Sequence, residues 1–307
     1  MSINFQEVTV VVQGPIDWSI SAIYSRPTTL MLTRQIRKLM PGARIVLSTW
    51  IGQNVEGLSY DIVVLSKDPG PQGVWPSYTP NNVNRQILST TQGLDVVQTE
   101  YVLKIRSDII LLSTKFMDVY ALLPRLEVDD RAIFQYPILC NNLTSRHSRA
   151  VLERIPDNPL PLHPSDHVHF GRVGDLKCLW DVPLQTDEDA FYFMDRVQPN
   201  RWRAHELSRL APEQHILSNA ISKRRKISIR DFADGSDELL KDSDYYMSSH
   251  FYFMKDSKFS ISFAKYHTDH HGQFEWMRHD HGLGTDKVPR SSLVQRVLAL
   301  KSNFKLP

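Results

Sequence analysis

Short apolar runs rich in β-branched residues recur through the first third of the chain. Val8–Val12 is the first of them and stops at the turn 13–15, and similar runs occupy residues 43–48, 60–65 and 101–106. Runs that are apolar throughout, rather than alternating, are typical of strands buried on both faces of a sheet. We therefore predict four buried strands in this region.

Two helical patterns separate these strands. Residues 27–39 begin with a proline, which suits a first helical turn, and stop at the Pro41-Gly42 pair. Asn81 and Asn82 can cap a second helix over residues 83–97. The resulting β-α-β-β-α-β order favours an α/β fold, a Rossmann-type and mostly parallel sheet flanked by helices.

In open sheets of this kind, ligands bind beyond the carboxyl ends of the strands. We call this edge of the sheet the carboxyl edge. The predicted strand ends that lie along it are residues 13–15, 48–50, 66–68 and 106–108.

The second half of the chain is less regular. We predict a fifth strand at residues 132–135, a helix over 212–221 and strand character over 251–263. The acidic stretch 231–244 reads as a solvated loop, and residues 291–300 as an amphipathic terminal helix.

These segments indicate one domain over residues 1–307. Residues 1 to about 135 are interpreted as its nucleotide-binding half. Residues 136–307 would form the acceptor half and a C-terminal extension on the acceptor side.

Composition narrows the functional class. The chain has 36 basic and 34 acidic residues, a net charge of +2, so nucleic acid is not an expected partner. Its two cysteines exclude a disulfide framework and suit a reducing compartment. The start resembles no signal peptide, and no apolar run approaches the ~18 residues of a membrane span. We expect a cytoplasmic enzyme, with peripheral contact at the inner membrane through the basic segment 296–305 as the alternative to packing on the core.

The segment Arg106-Ser107-Asp108 is the strongest candidate for chemistry. An acid at the end of a central strand can reach a divalent metal on a diphosphate. Nucleotide-sugar enzymes usually carry an acid-any-acid motif here, and Arg106 replaces its first acid. A guanidinium pairs well with phosphate oxygens. The alternative is a surface pair that caps the strand.

Two further segments point to the donor. Asn84-Arg85 stands near a helix start, where anionic phosphates are favoured, although an ordinary capped surface helix would look the same. Gln13-Gly14-Pro15 offers a close backbone approach for a base or ribose. The chain contains no G-x-G-x-x-G and no Walker A motif, which argues against a dehydrogenase or a P-loop kinase.

Three segments leave their roles open. Asp166, in the mixed segment 163–171, can bind sugar hydroxyls or sit in an ordinary polar loop. Glu213, in the first turn of a helix, can complement the helix dipole or act as a general base. His267 and His271 have metal-ligand spacing in the His-rich segment 267–281, where a surface loop is the alternative.

Taken together, these segments resemble the WavE lipopolysaccharide-synthesis family. The stretches that carry the resemblance run in order along the chain: residues 11–15, 45–50, 68–70, 81–90, 104–108, 165–171 and 212–214. The resemblance implies a GT-A-type glycosyltransferase that assembles bacterial lipopolysaccharide or capsule polysaccharide. Its partners would be a nucleotide-sugar donor and a saccharide or lipid-linked saccharide acceptor.

The resemblance also implies roles for individual residues. Asp108 would hold Mn²⁺ or Mg²⁺ on the donor diphosphate, and Arg106 puts strict metal dependence in doubt. Glu213 would be the catalytic base of an inverting transfer, with Asp166 as the other candidate. The predicted donor-binding residues are Gln13, Gly14, Pro15, Thr49, Asp68, Asn84, Arg85, Lys104, Arg106 and Ser107.

Two other functions remain open at this point. A sugar nucleotidyltransferase also uses a parallel sheet and a carboxylate-bound metal. It would normally have a Gly-rich phosphate loop after the first strand, and residues 13–18 lack one. A non-catalytic carbohydrate-binding subunit of a polysaccharide assembly complex is the second alternative.

Overall fold

A computed structural model describes residues 2–20, 27–72, 80–141, 145, 160–199, 206–254 and 259–263. The strands within these ranges are β1 (Val8–Gln13), β2 (Arg44–Trp50), β3 (Ile62–Ser66), β4 (Tyr101–Arg106), β5 (Ile109–Leu111), β6 (Ile138–Asn141), β7 (Val168–Arg172), β8 (Phe251–Met254) and β9 (Ile261–Phe263). The helices are α1 (Thr28–Leu39), α2 (Val83–Asp95), α3 (Phe116–Tyr120), α4 (Val173–Trp180), α5 (Asp187–Ala190), α6 (Pro212–Ser222) and α7 (Asp237–Ser249), and Phe5–Glu7 forms a 3₁₀ turn.

The described strands build a seven-stranded sheet in the order β3-β2-β1-β4-β7-β6-β8. Only β7 among them runs antiparallel to its neighbours β4 and β6, while the other pairs are parallel. β5 and β9 form a separate antiparallel pair. The predicted α/β class, with a mostly parallel sheet flanked by helices, is confirmed.

The sheet is buried on both faces because its central strands are apolar on both. In β1, Val10 and Val12 face the core formed with α1 and α3, whereas Val11 faces the core formed with α2, α4 and α6. All six residues of β1 are buried. The β-branched run that predicted a buried strand therefore packs against hydrophobic cores on both faces of the sheet.

The predicted strand at residues 132–135 is wrong. Those residues form no strand, and β6 follows them at Ile138–Asn141. The backbone N–H of Ile133 donates to Nε2 of His250 at 3.1 Å, and that of Gln135 donates to Asp175 Oδ1 at 2.7 Å. Side chains from distant segments thus replace the ladder partners that an apolar run would otherwise find in a strand.

The predicted solvated loop at 231–244 is also wrong, because α7 begins inside it at Asp237. Acidic residues before the helix accept backbone hydrogen bonds: Asp231 Oδ1 from Ala233 N, and Asp234 Oδ1 from Ser236 N. The acidic character reflects turn and helix-start chemistry rather than solvation. The strand-like region 251–263 contains β8 and β9, which belong to different sheets.

Two sequence predictions, the terminal helix at 291–300 and the His-rich segment 267–281, lie outside the described residues. Within the described ranges, no helix combines the length and the apolar character needed to cross a bilayer.

Candidate functional site

A cavity of about 600 Å³ opens at the carboxyl edge, beside the ends of β1, β2 and β4 and the start of α2. The predicted residues that line it are Gln13, Gly14, Pro15, Arg85, Arg106, Ser107 and Asp108. Parallel strands bring these segments together because their carboxyl ends meet at one edge.

The loop after β1 is held tightly against its neighbours. Gly14 has a φ of +113°, a conformation that favours glycine, and a Cβ there would lie 3.2 Å from the Ser107 hydroxyl. The Gly14 N–H donates to Ser48 O at 3.0 Å, and the Ser107 hydroxyl donates to Pro15 O. The cavity floor is therefore rigid backbone joining three strand ends.

Arg106 and Asp108 form a bidentate pair in the cavity wall. Arg106 donates from Nε to Asp108 Oδ1 at 2.9 Å and from Nη2 to Oδ2 at 2.6 Å. β4 ends at Arg106, and Asp108 lies in the turn that follows, close enough for the carboxylate to pair with the guanidinium.

Arg85 is held in a similar way by Asp68. It donates from Nε to Asp68 Oδ1 at 2.7 Å and from Nη2 to Oδ2 at 2.6 Å, and its Nη1 donates to Asn82 at 3.1 Å. The hydrogen bonds from Arg85 lower the pKa of the Asp68 carboxyl. Asp68 does not itself line the cavity, so its part is to orient Arg85.

The donor set does not fit the predicted divalent metal. Both oxygens of Asp108 already accept from one guanidinium, so Asp108 would have to release Arg106 to bind a cation. Among the described residues, no three His, Cys, Asp or Glu side chains are grouped so that they could hold a metal ion. Among the described residues that line the cavity, Arg85 and Arg106 carry the positive charge.

A buried charged cluster lies behind the cavity wall. Asp166 is 5% exposed, and its carboxylate is near His167, at 3.6 Å, and near Lys104 and Arg106. Burial raises the pKa of Asp166, but the charges of these neighbours outweigh it and hold that pKa at about 2. Burial lowers the pKa of His167 to about 4, so this imidazole is neutral at pH 7.

Asp166 meets the cavity through another side chain. Gln86 lines the cavity, and its side chain is close enough to the Asp166 carboxylate to help lower the pKa of that group; Asp166 does not line the cavity itself. β7 explains this position: because it is antiparallel, the residues before it lie at the carboxyl edge of β4.

Lys104, predicted to bind the donor, does not line the cavity. Its side chain is fully buried, and its ammonium donates to the backbone carbonyl of Asp166. The ammonium also lies 4.4 Å from the centre of the Trp180 ring.

Glu213 lies in the first turn of α6 and is 8% exposed. Its carboxylate is 3.4 Å from Nε2 of His163, which precedes Asp166 by only three residues in the chain. Asp166 therefore lies within the segment 163–167 and Glu213 contacts it, and neither candidate base lines the cavity.

Two further predicted residues are buried away from the cavity lining. Thr49 is fully buried, and its hydroxyl has no hydrogen-bond partner among the described residues. Asn84 donates to Gln72 at 2.7 Å and accepts from the Gln185 backbone N–H at 2.7 Å. These bonds tie the start of α2 to the segment before α5.

Sequence reasoning missed several residues that line the cavity, among them Asp17, Trp50, Asn82 and Gln86. Each is adjacent to a segment that was identified: Trp50 ends β2, and Gln86 follows Arg85. Asp17 follows the glycine-proline turn, and its backbone N–H donates to Thr29 at 2.8 Å. Trp50 is the last residue of the predicted strand end 48–50, Asp17 lies two residues beyond the loop 13–15, and Asn82 and Gln86 lie at the start of the second predicted helix.

Comparison with known proteins identifies the family to which the chain belongs. A family model described as WavE lipopolysaccharide synthesis matches residues 8–280. No curated protein matches the chain significantly. Among solved structures, CMP:2-keto-3-deoxy-manno-octonic acid synthetase complexed with CTP matches at 10% identity and a TM-score of 0.34, over 60% of this chain and 80% of that one. A likeness at this TM-score supports no inference about fold or function.

Proposed function

Since the chain belongs to the WavE lipopolysaccharide-synthesis family, we propose that it is a GT-A-type glycosyltransferase. It transfers a sugar, a hexose or a related residue, from a nucleotide-sugar donor to a saccharide or lipid-linked saccharide acceptor. The product belongs to a bacterial surface polysaccharide.

The cavity at the carboxyl edge is the observation that carries this proposal. Its volume of about 600 Å³ falls within the range of small-molecule sites. Arg85 and Arg106 both line it, and guanidinium groups match phosphate oxygens in shape and charge. The start of α2 adds the positive end of a helix dipole on the same side.

The donor fits this cavity in two parts. Its diphosphate contacts Arg85 and Arg106, each of which exchanges part of its pairing with Asp68 or Asp108 for phosphate oxygens. The nucleoside lies against the rigid loop 13–15, beside Trp50 at the end of β2.

The reaction is a single displacement. The oxygen of the acceptor hydroxyl forms a bond to the anomeric carbon while the bond from that carbon to the diphosphate breaks. The electron pair leaves with the diphosphate, and the two arginines stabilise its charge. Attack opposite the leaving group inverts the anomeric centre.

The base that takes the hydroxyl proton is Glu213. Asp166 is the weaker candidate, because its neighbours hold its pKa at about 2 and a base is most effective when its pKa is near the working pH. Asp166 instead fits a role in orienting its neighbour Gln86, which lines the cavity and can hold the acceptor.

A donor screen tests the proposal. The protein is incubated with a panel of sugar nucleotides and a mixture of saccharide acceptors, in EDTA and in Mn²⁺, and nucleotide release is followed. We expect nucleoside diphosphate to appear only with an acceptor, at similar rates in both buffers.

Other outcomes would replace the proposal. Release of pyrophosphate from a nucleoside triphosphate and a sugar or sugar phosphate would identify a nucleotidyltransferase. Saccharide binding without any affinity for nucleotides would identify a carbohydrate-binding subunit. Activity that requires Mn²⁺ would mean that Asp108 is a metal ligand, as the family resemblance implied.

A further inference from the structure

The centre of the sheet contains a charged side chain that the proposed chemistry does not use. Lys104 lies in the middle of β4 with no solvent exposure, on the face covered by α2 and α4. A buried ammonium is costly unless its environment compensates it. Burial lowers the pKa of Lys104 to about 7, and the nearby Asp166 carboxylate opposes that shift.

The partner of Lys104 is the turn that precedes β7, residues 165–167. The ammonium donates to the carbonyl of Asp166, while Nε2 of His169, which pairs with Lys104 across the sheet, lies 2.7 Å from the carbonyl of Ser165. His169 must donate this bond, because its Nδ1 accepts from the Trp180 indole N–H at 3.1 Å. Two neighbouring carbonyls of the turn are thus bound by two side chains of the sheet.

The same turn determines where a candidate site residue lies. The carboxylate of Asp166 lies near Gln86, a cavity residue, and its pKa is lowered by the positive charge of Arg106. Backbone groups of the turn are also fixed: Ser165 N donates to the Ser145 hydroxyl at 2.8 Å. A shift of the turn would move the Asp166 carboxylate away from the cavity wall.

We propose that Lys104 is a positioning residue, whose ammonium holds the 165–167 turn so that the Asp166 carboxylate stays against the cavity wall. The inference has two parts. The structural part concerns the turn alone, and the catalytic part rests on the proposed transferase function.

The variant Lys104→Met tests the structural part. Removing one partner of a buried charged pair is destabilising, so a urea denaturation curve first confirms that the variant is folded. We expect amide hydrogen–deuterium exchange of the full chain to accelerate at least tenfold at residues 165–168, with the rest of the sheet unchanged. Unchanged exchange in the turn, or acceleration spread evenly over the sheet, would overturn the proposal.

Thr9→Val is the matched control. Thr9 is a buried polar residue of the same sheet at the opposite end from the cavity, and its hydroxyl bonds to that of Thr99. It should leave exchange in the turn unchanged. If Lys104→Met does not fold, Lys104→Gln, one atom shorter and uncharged, takes its place with the same expectation.

Kinetics test the catalytic part. In Lys104→Met we expect the acceptor KM to rise at least tenfold, while the dissociation constant for the product nucleotide stays within twofold of wild type. A wild-type acceptor KM in an active enzyme would refute the positioning role. A wild-type protein without transfer activity would instead refute the proposed function, and hydrogen exchange would still decide the role of Lys104 in the turn.

Discussion

At the level of single side chains, Arg85 and Arg106 are each held in a bidentate pair with an aspartate. Each presents two N–H groups to one carboxylate. The side chains of both pairs remain 21–33% exposed, so a phosphate can reach the guanidinium groups and replace part of the carboxylate pairing. The pairs thus orient the guanidinium groups without preventing ligand binding.

Replacing the guanidinium group of either arginine by an ammonium should weaken donor binding. Arg85→Lys and Arg106→Lys keep the charge but lose the planar pair of donors. We expect the dissociation constant for the product nucleotide to rise about tenfold in each, which corresponds to about 1.4 kcal/mol. Isothermal titration calorimetry measures it. Arg209→Lys, at a residue that does not line the cavity, is the control. Equal effects at all three positions would argue against binding of the diphosphate by Arg85 and Arg106.

The two candidate bases should give different kinetic defects. Glu213→Gln removes the proton acceptor and should lower the transfer rate about 10²–10⁴-fold, with nucleotide affinity intact. Asp166→Asn should chiefly raise the acceptor KM. Steady-state kinetics with varied acceptor separates the two effects. Exchanged phenotypes would make Asp166 the base, and a wild-type rate in both variants would remove both from the mechanism.

Helix α2 links the core to the cavity at the level of elements. Its first two turns carry Arg85 and Gln86, and its later turns pack directly on β1 and β2. Gly93 makes this close approach possible, because a Cβ there would lie 2.5 Å from Val11 Cγ1 and 3.0 Å from Ser48 Cβ.

Gly93→Ala should therefore push α2 away from the sheet. We expect a loss of about 1–3 kcal/mol in the free energy of unfolding, the usual cost of overpacking a core. Urea denaturation measures it. Gly174→Ala in α4 is the matched control: its Cβ would meet no atom within 4 Å, so helix propensity should make it neutral or stabilising by up to about 1 kcal/mol. An equal loss in both variants would contradict this account of α2.

Buried neutral histidines make the stability of the whole molecule depend on pH. Burial lowers the pKa of His167 and His250 to about 4 and that of His169 to about 3. His250 accepts the backbone N–H of Ile133 and can do so only while its Nε2 is unprotonated. Because the unfolded chain protonates these imidazoles near pH 6.5, the unfolded state binds more protons below that pH.

Stability should therefore fall as the pH drops from about 6.5 towards 4. We expect a loss on the order of 1 kcal/mol per histidine between pH 7 and pH 5, measured by urea denaturation at both values. His250→Gln, which keeps an acceptor for Ile133, should lose less stability over this interval than wild type. A variant with the same pH dependence as wild type would exclude His250 as a source of the effect.

Local patterns were enough to predict the order of the first four strands and two helices, and the edge at which their ends meet. Buried parallel strands need continuous apolar runs, and helices need caps and stops, so both can be recognised within a short window. The cavity residues of segments 13–15 and 106–108 follow from this order alone. The roles of the predicted site residues stay predictions.

Tertiary structure decided what the charged residues do. Lys104 and Asp166 are 62 residues apart, and only the reversed strand β7 brings the turn before it to the end of β4. The burial of Lys104 and the absence of a strand at residues 132–135 both depend on partners that are distant in the sequence. A buried charge or an unpaired N–H is stable only where such a partner lies, and no local window of sequence contains that partner.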